Sequence, residues 1–213
     1  DGPIYYYAFD RVTQEADLLF SNQPGLEGLA LSALQPIRVT ARDGLVLHGY
    51  LTLPVGVEPT GLPTVLLVHG GPWARDTWGY RPDVQWLTNR GYAVLQLNFR
   101  GSTGYGKRFL HAGDREWAGA MHTDLLDGVE WLVRQGIADP ARVGSMGGSY
   151  GGYATLAALT FTPEVFACGV DLVGPSNLLT LLETIPPYWK PLLALFHQRV
   201  GHPETEPEFL RSR

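Results

Sequence analysis

The residues best suited to chemistry are a serine set among glycines. The run Gly147-Gly148-Ser149-Tyr150-Gly151 contains the pattern Gly-x-Ser-x-Gly, between an apolar strand-like segment, 142–146, and a good helix former, 153–161. A strand, a tight turn and a helix in this order form a nucleophile elbow, in which glycines tolerate the sharp turn and the serine hydroxyl stands exposed. We therefore predict that Ser149 is a nucleophile; a plain glycine-rich turn is the alternative.

A second glycine pair follows another predicted strand. His69-Gly70-Gly71-Pro72-Trp73 comes directly after the apolar run 64–68. A carbonyl attacked by a serine develops an oxyanion, which backbone N–H groups stabilise. In folds with a nucleophile elbow, one N–H comes from the residue after the nucleophile and one from the loop after an earlier strand. We predict the N–H groups of Tyr150 and Gly71 in these roles, and a structural role for His69, because the catalytic histidine of this arrangement follows the serine.

The elements needed to position these residues can be identified from the hydrophobic pattern. Short apolar runs alternate with helical periodicity from residue 63 onwards, which is typical of a parallel sheet with crossover helices. The predicted strands are 64–68, 92–99, 142–146 and 166–173. An amphipathic helix over 125–133, ending at Gly136, has an apolar stripe with Asp124, Asp127 and Glu130 facing away from it.

The first part of the chain has a different pattern. Two β-prone segments, 4–9 and 17–20, are separated by a polar stretch and predict a hairpin. A second hairpin is predicted from 37–41 and 45–53, which flank an Asp-Gly turn. Between the hairpins lies a connector rich in Gly, Pro, Asn and Ser. We therefore expect one unit to end at about residue 30 and another to start at about residue 36.

Composition excludes several classes of function. Only 17% of the 213 residues are charged, the net charge is −5, and the basic residues form no stripe, so we expect no nucleic-acid partner. No apolar run approaches the ~18 residues of a membrane span, so we expect no membrane partner. The single cysteine, Cys168, excludes an intrachain disulfide and is predicted to pack in the core. Residue spacing predicts no metal site and no cofactor.

Four motifs in order give the chain a family resemblance. HGGPW (69–73), NFRGSTGYG (98–106), GDREWAG (113–119) and GGSYGGY (147–153) closely resemble the prolyl oligopeptidase family of serine peptidases, and within it the acylaminoacyl-peptidase-like and dipeptidyl-peptidase-like members. The resemblance covers about 36–213. It implies a doubly wound α/β-hydrolase domain with a mostly parallel sheet over 36–213. It also implies that 1–30 are the last strands of a β-propeller and its connector.

The resemblance also implies roles for individual residues. Ser149 is expected to be the nucleophile, with Tyr150 and Gly71 as oxyanion donors and peptides as substrates. Arg100 and Tyr105 fall in a segment that frames the active-site entrance; an ion pair that anchors the loop and a packed ring are the alternatives. The residues expected to line a pocket for a substrate side chain, or else to form an ordinary apolar helix face, are Trp73, Leu178, Leu179 and Leu182.

The partners of the serine are not identified by the sequence. A nucleophilic serine needs a histidine base and an acid, which follow it in the order Asp or Glu, then His. Three candidates follow Ser149. Asp171 lies one strand too early for the acid, His197 lies on an apolar helix and His202 lies in a turn, so we expect all three to be structural. His111 and His122 precede the serine and are expected to be scaffold. We therefore expect an incomplete hydrolase domain that is inactive in isolation.

Two other functions remain open at this stage. A carboxylesterase or lipase could use the same elbow, although HGGP replaces the glycine-richer HGGG that esterases tend to show. A hydrolase-like scaffold that only binds is the other alternative. The oligomeric state, including a homo-oligomer, and the compartment stay open, with a cytoplasmic location favoured over a periplasmic or secreted one.

Overall fold

The computed structural model describes residues 2–213 and centres on one mostly parallel sheet. Its strands lie side by side in the order β3-β4-β6-β5-β7-β8. β4 pairs antiparallel with β3 and β6, and every other neighbouring pair is parallel. The strands are β3 (Leu34–Thr40), β4 (Val46–Thr52), β5 (Leu62–Val68), β6 (Ala93–Asn98), β7 (Ala138–Gly148) and β8 (Cys168–Leu172). The sheet predicted from the apolar runs is confirmed.

Helices cover both faces of this sheet. They are α1 (Pro82–Thr88), α2 (Lys107–His111), α3 (Ala120–Arg134), α4 (Tyr150–Phe161), α5 (Leu178–Glu183), α6 (Leu193–Arg199) and α7 (Pro207–Arg211). Successive residues of β5 point to opposite faces: Val65 and Leu67 pack with α1, whereas Leu66 joins the larger cluster formed with α3 and α4. Because both faces are buried, the central strands are almost continuously apolar. This is the doubly wound arrangement that the sequence predicts.

One part of the α3 prediction is wrong. Asp124 and Asp127 do not face solvent: Asp124 is fully buried and Asp127 is 7% exposed. Each carboxylate is held by an arginine outside the helix, Arg100 and Arg42 respectively. An amphipathic pattern assigns acidic residues to the solvent side, but a paired carboxylate can be buried.

The N-terminal hairpin forms a sheet of its own. β1 (Tyr5–Phe9) pairs antiparallel with β2 (Ala16–Ser21), as the sequence predicts, and this two-stranded sheet is separate from the large one. Every residue of β1 is exposed, and the rings of Tyr6 and Phe20 stack with centroids 4.8 Å apart. A single turn of 3-10 helix, Pro24–Leu26, lies in the connector to β3.

The environment of Cys168 also differs from the prediction. Cys168 is exposed rather than packed in the core, because it lies on β8, the last strand of the sheet. An apolar stretch indicates a strand, but the position of that strand within the sheet decides whether its side chains are covered.

Within residues 2–213, no helix is both long and apolar enough to cross a membrane.

Candidate active site

Ser149 lies at the turn between β7 and α4, as a nucleophile elbow requires. Its backbone angles are φ 56° and ψ −119°, a conformation that costs a residue with a side chain of the order of 1–3 kcal/mol. The turn is held by two backbone hydrogen bonds, from Ser149 N–H to the Leu172 carbonyl (2.9 Å) and from Tyr153 N–H to the Ser149 carbonyl (3.0 Å). Ser149 is exposed, and its hydroxyl hydrogen-bonds no other group among residues 2–213.

Two glycines of the motif are required by close packing. A Cβ on Gly151 would lie 2.1 Å from the carbonyl oxygen of Val68 at the end of β5. A Cβ on Gly147 would lie 2.5 Å from the backbone of Gly151. Both distances are far below any van der Waals contact between these atoms. The glycines therefore let the start of α4 press against β5, which brings the serine next to the loop that follows this strand.

That loop, 69–81, contains the predicted oxyanion donor. A Cβ on Gly70 would lie 3.5 Å from Ser149 Cβ, so the loop passes close to Ser149. The N–H groups of Gly71 and Tyr150 donate to no other group in the described part of the chain. Tyr150 is the first residue of α4, and the first turn of a helix leaves its N–H groups without partners inside the helix. The helix dipole favours a negative charge at this end. The site thus combines an exposed hydroxyl with two free N–H groups on adjoining segments.

No base accompanies Ser149 among residues 2–213: none of the six histidines hydrogen-bonds its hydroxyl. The two that follow it, His197 and His202, lie against each other with ring centroids 4.2 Å apart. Asp171 accepts a hydrogen bond from Gly174 N–H at 2.8 Å. These contacts stabilise local structure.

The histidines that precede the serine also have other partners. His111 Nδ1 lies 2.8 Å from an Asp114 carboxylate oxygen. His122 is buried, with Nε2 3.0 Å from Thr162 Oγ1, and its burial lowers its pKa. The buried ring of His69 lies between Phe99, Ser102 and the carbonyl of Gly70.

Arg100 and Tyr105 are both engaged in internal contacts. Arg100 is 8% exposed and makes two hydrogen bonds to Asp124, at 2.9 and 2.7 Å, and an ion pair with Asp43 at 2.8 Å. The Tyr105 ring stacks on His48 with centroids 4.8 Å apart. These are the contacts of a loop anchor and a packed ring, the alternatives that the sequence left open.

The predicted side-chain pocket residues fall into two environments. Leu178 and Leu182 are buried in the main core and Leu179 is half-buried, all on α5. Trp73 is half-buried in the loop after β5 and packs edge-on against Phe196, with centroids 5.2 Å apart.

Phe196, which packs on Trp73, and Trp189, which packs on Phe196, were not predicted from the sequence. Phe196 also stacks on Trp189, at 5.9 Å between centroids, so an aromatic cluster adjoins the loop that carries Gly71. The concentration of aromatic and apolar residues in 188–196 could have indicated this cluster.

Among the described residues, no group of three or more His, Cys, Asp or Glu side chains could hold a metal ion.

Comparison with known proteins places the chain in a family. Residues 78–193, more than half of the chain, match the prolyl oligopeptidase family. The chain is 54% identical over 213 residues to dipeptidyl aminopeptidase BIII of Pseudoxanthomonas mexicana, covering 97% of this chain and 31% of that protein. It is 49% identical over 210 residues to dipeptidyl peptidase family member 6 of Caenorhabditis elegans, covering 89% of this chain and 28% of that protein.

A solved structure shows the same fold. The acylaminoacyl peptidase of Pyrococcus horikoshii superposes with a TM-score of 0.82 at 27% identity, over 97% of this chain and 33% of that one. This likeness confirms the α/β-hydrolase fold that the four motifs implied. The chain spans about a third of the length of each of these relatives. The sequence motifs, the family match and the superposition agree, and the chain belongs to the prolyl oligopeptidase family of serine peptidases.

Proposed function

We propose that the protein carrying this chain is a serine peptidase that hydrolyses peptide bonds in short peptides through an acyl-enzyme at Ser149. The observation that carries this proposal is the strained, exposed Ser149 beside two free backbone N–H groups. Strain at an exposed serine is characteristic of a catalytic nucleophile. Membership of a peptidase family supports the choice of a peptide substrate over an ester.

The proposed reaction follows from the chemistry of these groups. Ser149 Oγ attacks the carbonyl carbon of the scissile bond while a histidine takes the hydroxyl proton. The carbonyl oxygen becomes an oxyanion and accepts hydrogen bonds from the N–H groups of Tyr150 and Gly71. The C–N bond then breaks, and the histidine gives its proton to the leaving amine. Water attacks the acyl-enzyme by the same route, releasing the acid and restoring Ser149.

We infer that the histidine and its acid lie outside residues 1–213. The histidines of this chain are engaged elsewhere, and the relatives are about three times as long. The 213-residue chain on its own should therefore not turn over an activated ester. Measurable turnover that depends on Ser149 would contradict this inference.

Two parts of the chain are proposed to select the substrate. Trp73 and Leu179, which are half-buried, are proposed to contact an apolar side chain beside the scissile bond, whereas Leu178 and Leu182 lie in the main core. The hairpin of β1 and β2 is proposed to end a β-propeller, which would admit short peptides and exclude folded proteins. The separate two-stranded sheet and its exposed aromatic rings support this proposal, because such a hairpin needs neighbours to be stable.

Ser149→Ala in the whole protein tests the proposed function. We expect wild type to cleave peptide p-nitroanilides, and S149A to lose nearly all kcat while binding a peptide as before. Ser212→Ala, at an exposed serine in the last turn of the chain, is the control and should be as active as wild type. Preference for p-nitrophenyl esters with no peptide cleavage would favour an esterase, and peptide binding without turnover would favour a scaffold.

A further inference from the structure

We propose that His69 is a positioning residue of this reaction: its Nδ1–H holds the Gly70 carbonyl, and this fixes the direction of the Gly71 N–H that stabilises the oxyanion. The inference rests on the proposed function, since it assigns a role within that reaction. The sequence alone predicts only a structural role for His69 in the loop.

His69 carries its ring hydrogen on Nδ1. This nitrogen lies 2.8 Å from the carbonyl oxygen of Gly70. A carbonyl oxygen has no hydrogen, so the ring nitrogen must be the donor. Burial lowers the pKa of His69, an effect that nearby Asp76 partly opposes and Arg81 supports. The ring is therefore neutral at neutral pH and carries its one hydrogen on Nδ1.

Ser102 completes this arrangement on the other side of the ring. A neutral ring with hydrogen on Nδ1 has an acceptor at Nε2, and Ser102 Oγ lies 3.0 Å from it. Ser102 Oγ also donates to the Phe99 carbonyl at 2.7 Å, so its single hydrogen lies between two acceptors and its oxygen ties the ring to the loop after β6. The Gly70 carbonyl, which can only accept, is what sets the hydrogen on Nδ1.

The peptide group between Gly70 and Gly71 links this hydrogen bond to the oxyanion donor. This peptide is trans, so its C=O and N–H point in opposite directions in one plane. Holding the Gly70 oxygen on the ring therefore directs the Gly71 N–H away from His69. The same loop passes close to Ser149 at Gly70, where a Cβ would lie 3.5 Å from Ser149 Cβ.

His69 is itself held rigidly enough for this role. It is 9% exposed, and its ring stacks on Phe99 with centroids 4.4 Å apart and planes 14° from parallel. A hydrogen bond from Thr103 N–H to the Ala74 carbonyl (2.9 Å) ties the same two loops together further along. Two glycines in succession have many accessible conformations, so without the ring the peptide could rotate. The anchor thus compensates for the freedom of the glycine pair.

The test compares two replacements of similar size in the whole protein. His69→Asn keeps an N–H donor near the position of Nδ1, whereas His69→Leu has none. We expect H69L to lower kcat roughly 10- to 100-fold, since misplacing a catalytic group can cost about 10²-fold and removing an oxyanion donor about 10²–10³-fold. KM should change by less than about threefold, because the interaction forms in the transition state. H69N should recover most of kcat.

The control is His122→Leu, which removes another buried histidine, one bonded to Thr162 at the C-terminal end of α4, and should leave kcat unchanged. Active sites are counted by the burst of acylation, so misfolded protein does not enter kcat. If H69L does not fold, Ser102→Ala serves instead and should lower kcat roughly two- to tenfold. Wild-type kcat in H69L, or equal losses in H69L and H69N, would overturn the inference. Peptidase activity surviving in S149A would instead overturn the proposed function.

Discussion

Replacing Arg100 with alanine should destabilise the fold far more than it alters substrate binding. Its guanidinium makes two hydrogen bonds to Asp124, which is fully buried, and an ion pair with Asp43, which is half exposed. In Arg100→Ala, water can solvate Asp43, but Asp124 keeps only the backbone N–H of residue 100 at 2.8 Å. Breaking a buried pair from one side costs about 3–5 kcal/mol, because a charge is left without compensation.

A matched control lies one turn along α3. Arg42 binds Asp127 through Nε at 2.9 Å and through its own N–H at 2.8 Å, the same pattern as Arg100 with Asp124. The Arg42 side chain, however, is 56% exposed, against 9% for Arg100. Asp127 is itself only 7% exposed, but the exposed Arg42 guanidinium leaves its carboxylate open to water once the guanidinium is removed. Arg42→Ala should therefore cost about 1–2 kcal/mol, between the values for an exposed and a buried pair and less than Arg100→Ala.

The assay is denaturant unfolding of both variants, followed by steady-state kinetics on the folded protein. We expect R100A to unfold at a clearly lower denaturant concentration than R42A, with KM for a peptide substrate within about threefold of wild type. Equal unfolding midpoints together with a tenfold rise in KM for R100A would refute the loop-anchor explanation. Arg100 would then contact the substrate.

Three further predictions concern the elbow and a buried histidine. Gly151→Ala should cost more than about 3 kcal/mol, since its Cβ would lie 2.1 Å from the Val68 carbonyl, while Gly25→Ala, with no atom within 4 Å, should change stability by less than about 0.5 kcal/mol in the same unfolding assay. Ser149→Gly should have a free energy of unfolding about 1 kcal/mol higher than that of S149A, because glycine adopts the positive φ without strain. Equal free energies of unfolding would argue against strain at this position. Because burial lowers the pKa of folded His122 below 6.5, the unfolded chain binds the proton first as pH falls, so wild type should lose stability relative to His122→Gln below about pH 6.5. A pH-independent difference would contradict this.

Much of the fold could be predicted from the sequence because apolar runs record burial directly. β5 and β6 lie between two helical layers, so their residues are apolar on both faces and easy to recognise. The short helices α1, α2 and α7 were missed, since five to seven residues carry too little periodicity. The exposure of Cys168 depends on strand order, which a local pattern does not contain.

The site was predictable where one residue type is indispensable. Ser149 and its glycines are fixed by close approach and positive φ, so a short motif identifies them. The contacts of Arg100 and His69 could not be predicted, because Asp124 and Ser102 come from other segments of the chain. The contact of His69 with Ser102 exists only after the loops that follow β5 and β6 meet, and the pair of Arg100 with Asp124 only after the segment following β6 packs against α3.

Labelling the whole protein with a serine-reactive fluorophosphonate, followed by mass mapping of the modified peptide, tests the central claim most directly. An activated serine attacks the phosphorus and displaces fluoride, which leaves a stable adduct on its oxygen. We predict one adduct, on Ser149, with loss of peptidase activity in proportion to labelling and no adduct in S149A. An adduct on another serine, or labelling that persists in S149A, would contradict the assignment of Ser149 as the nucleophile.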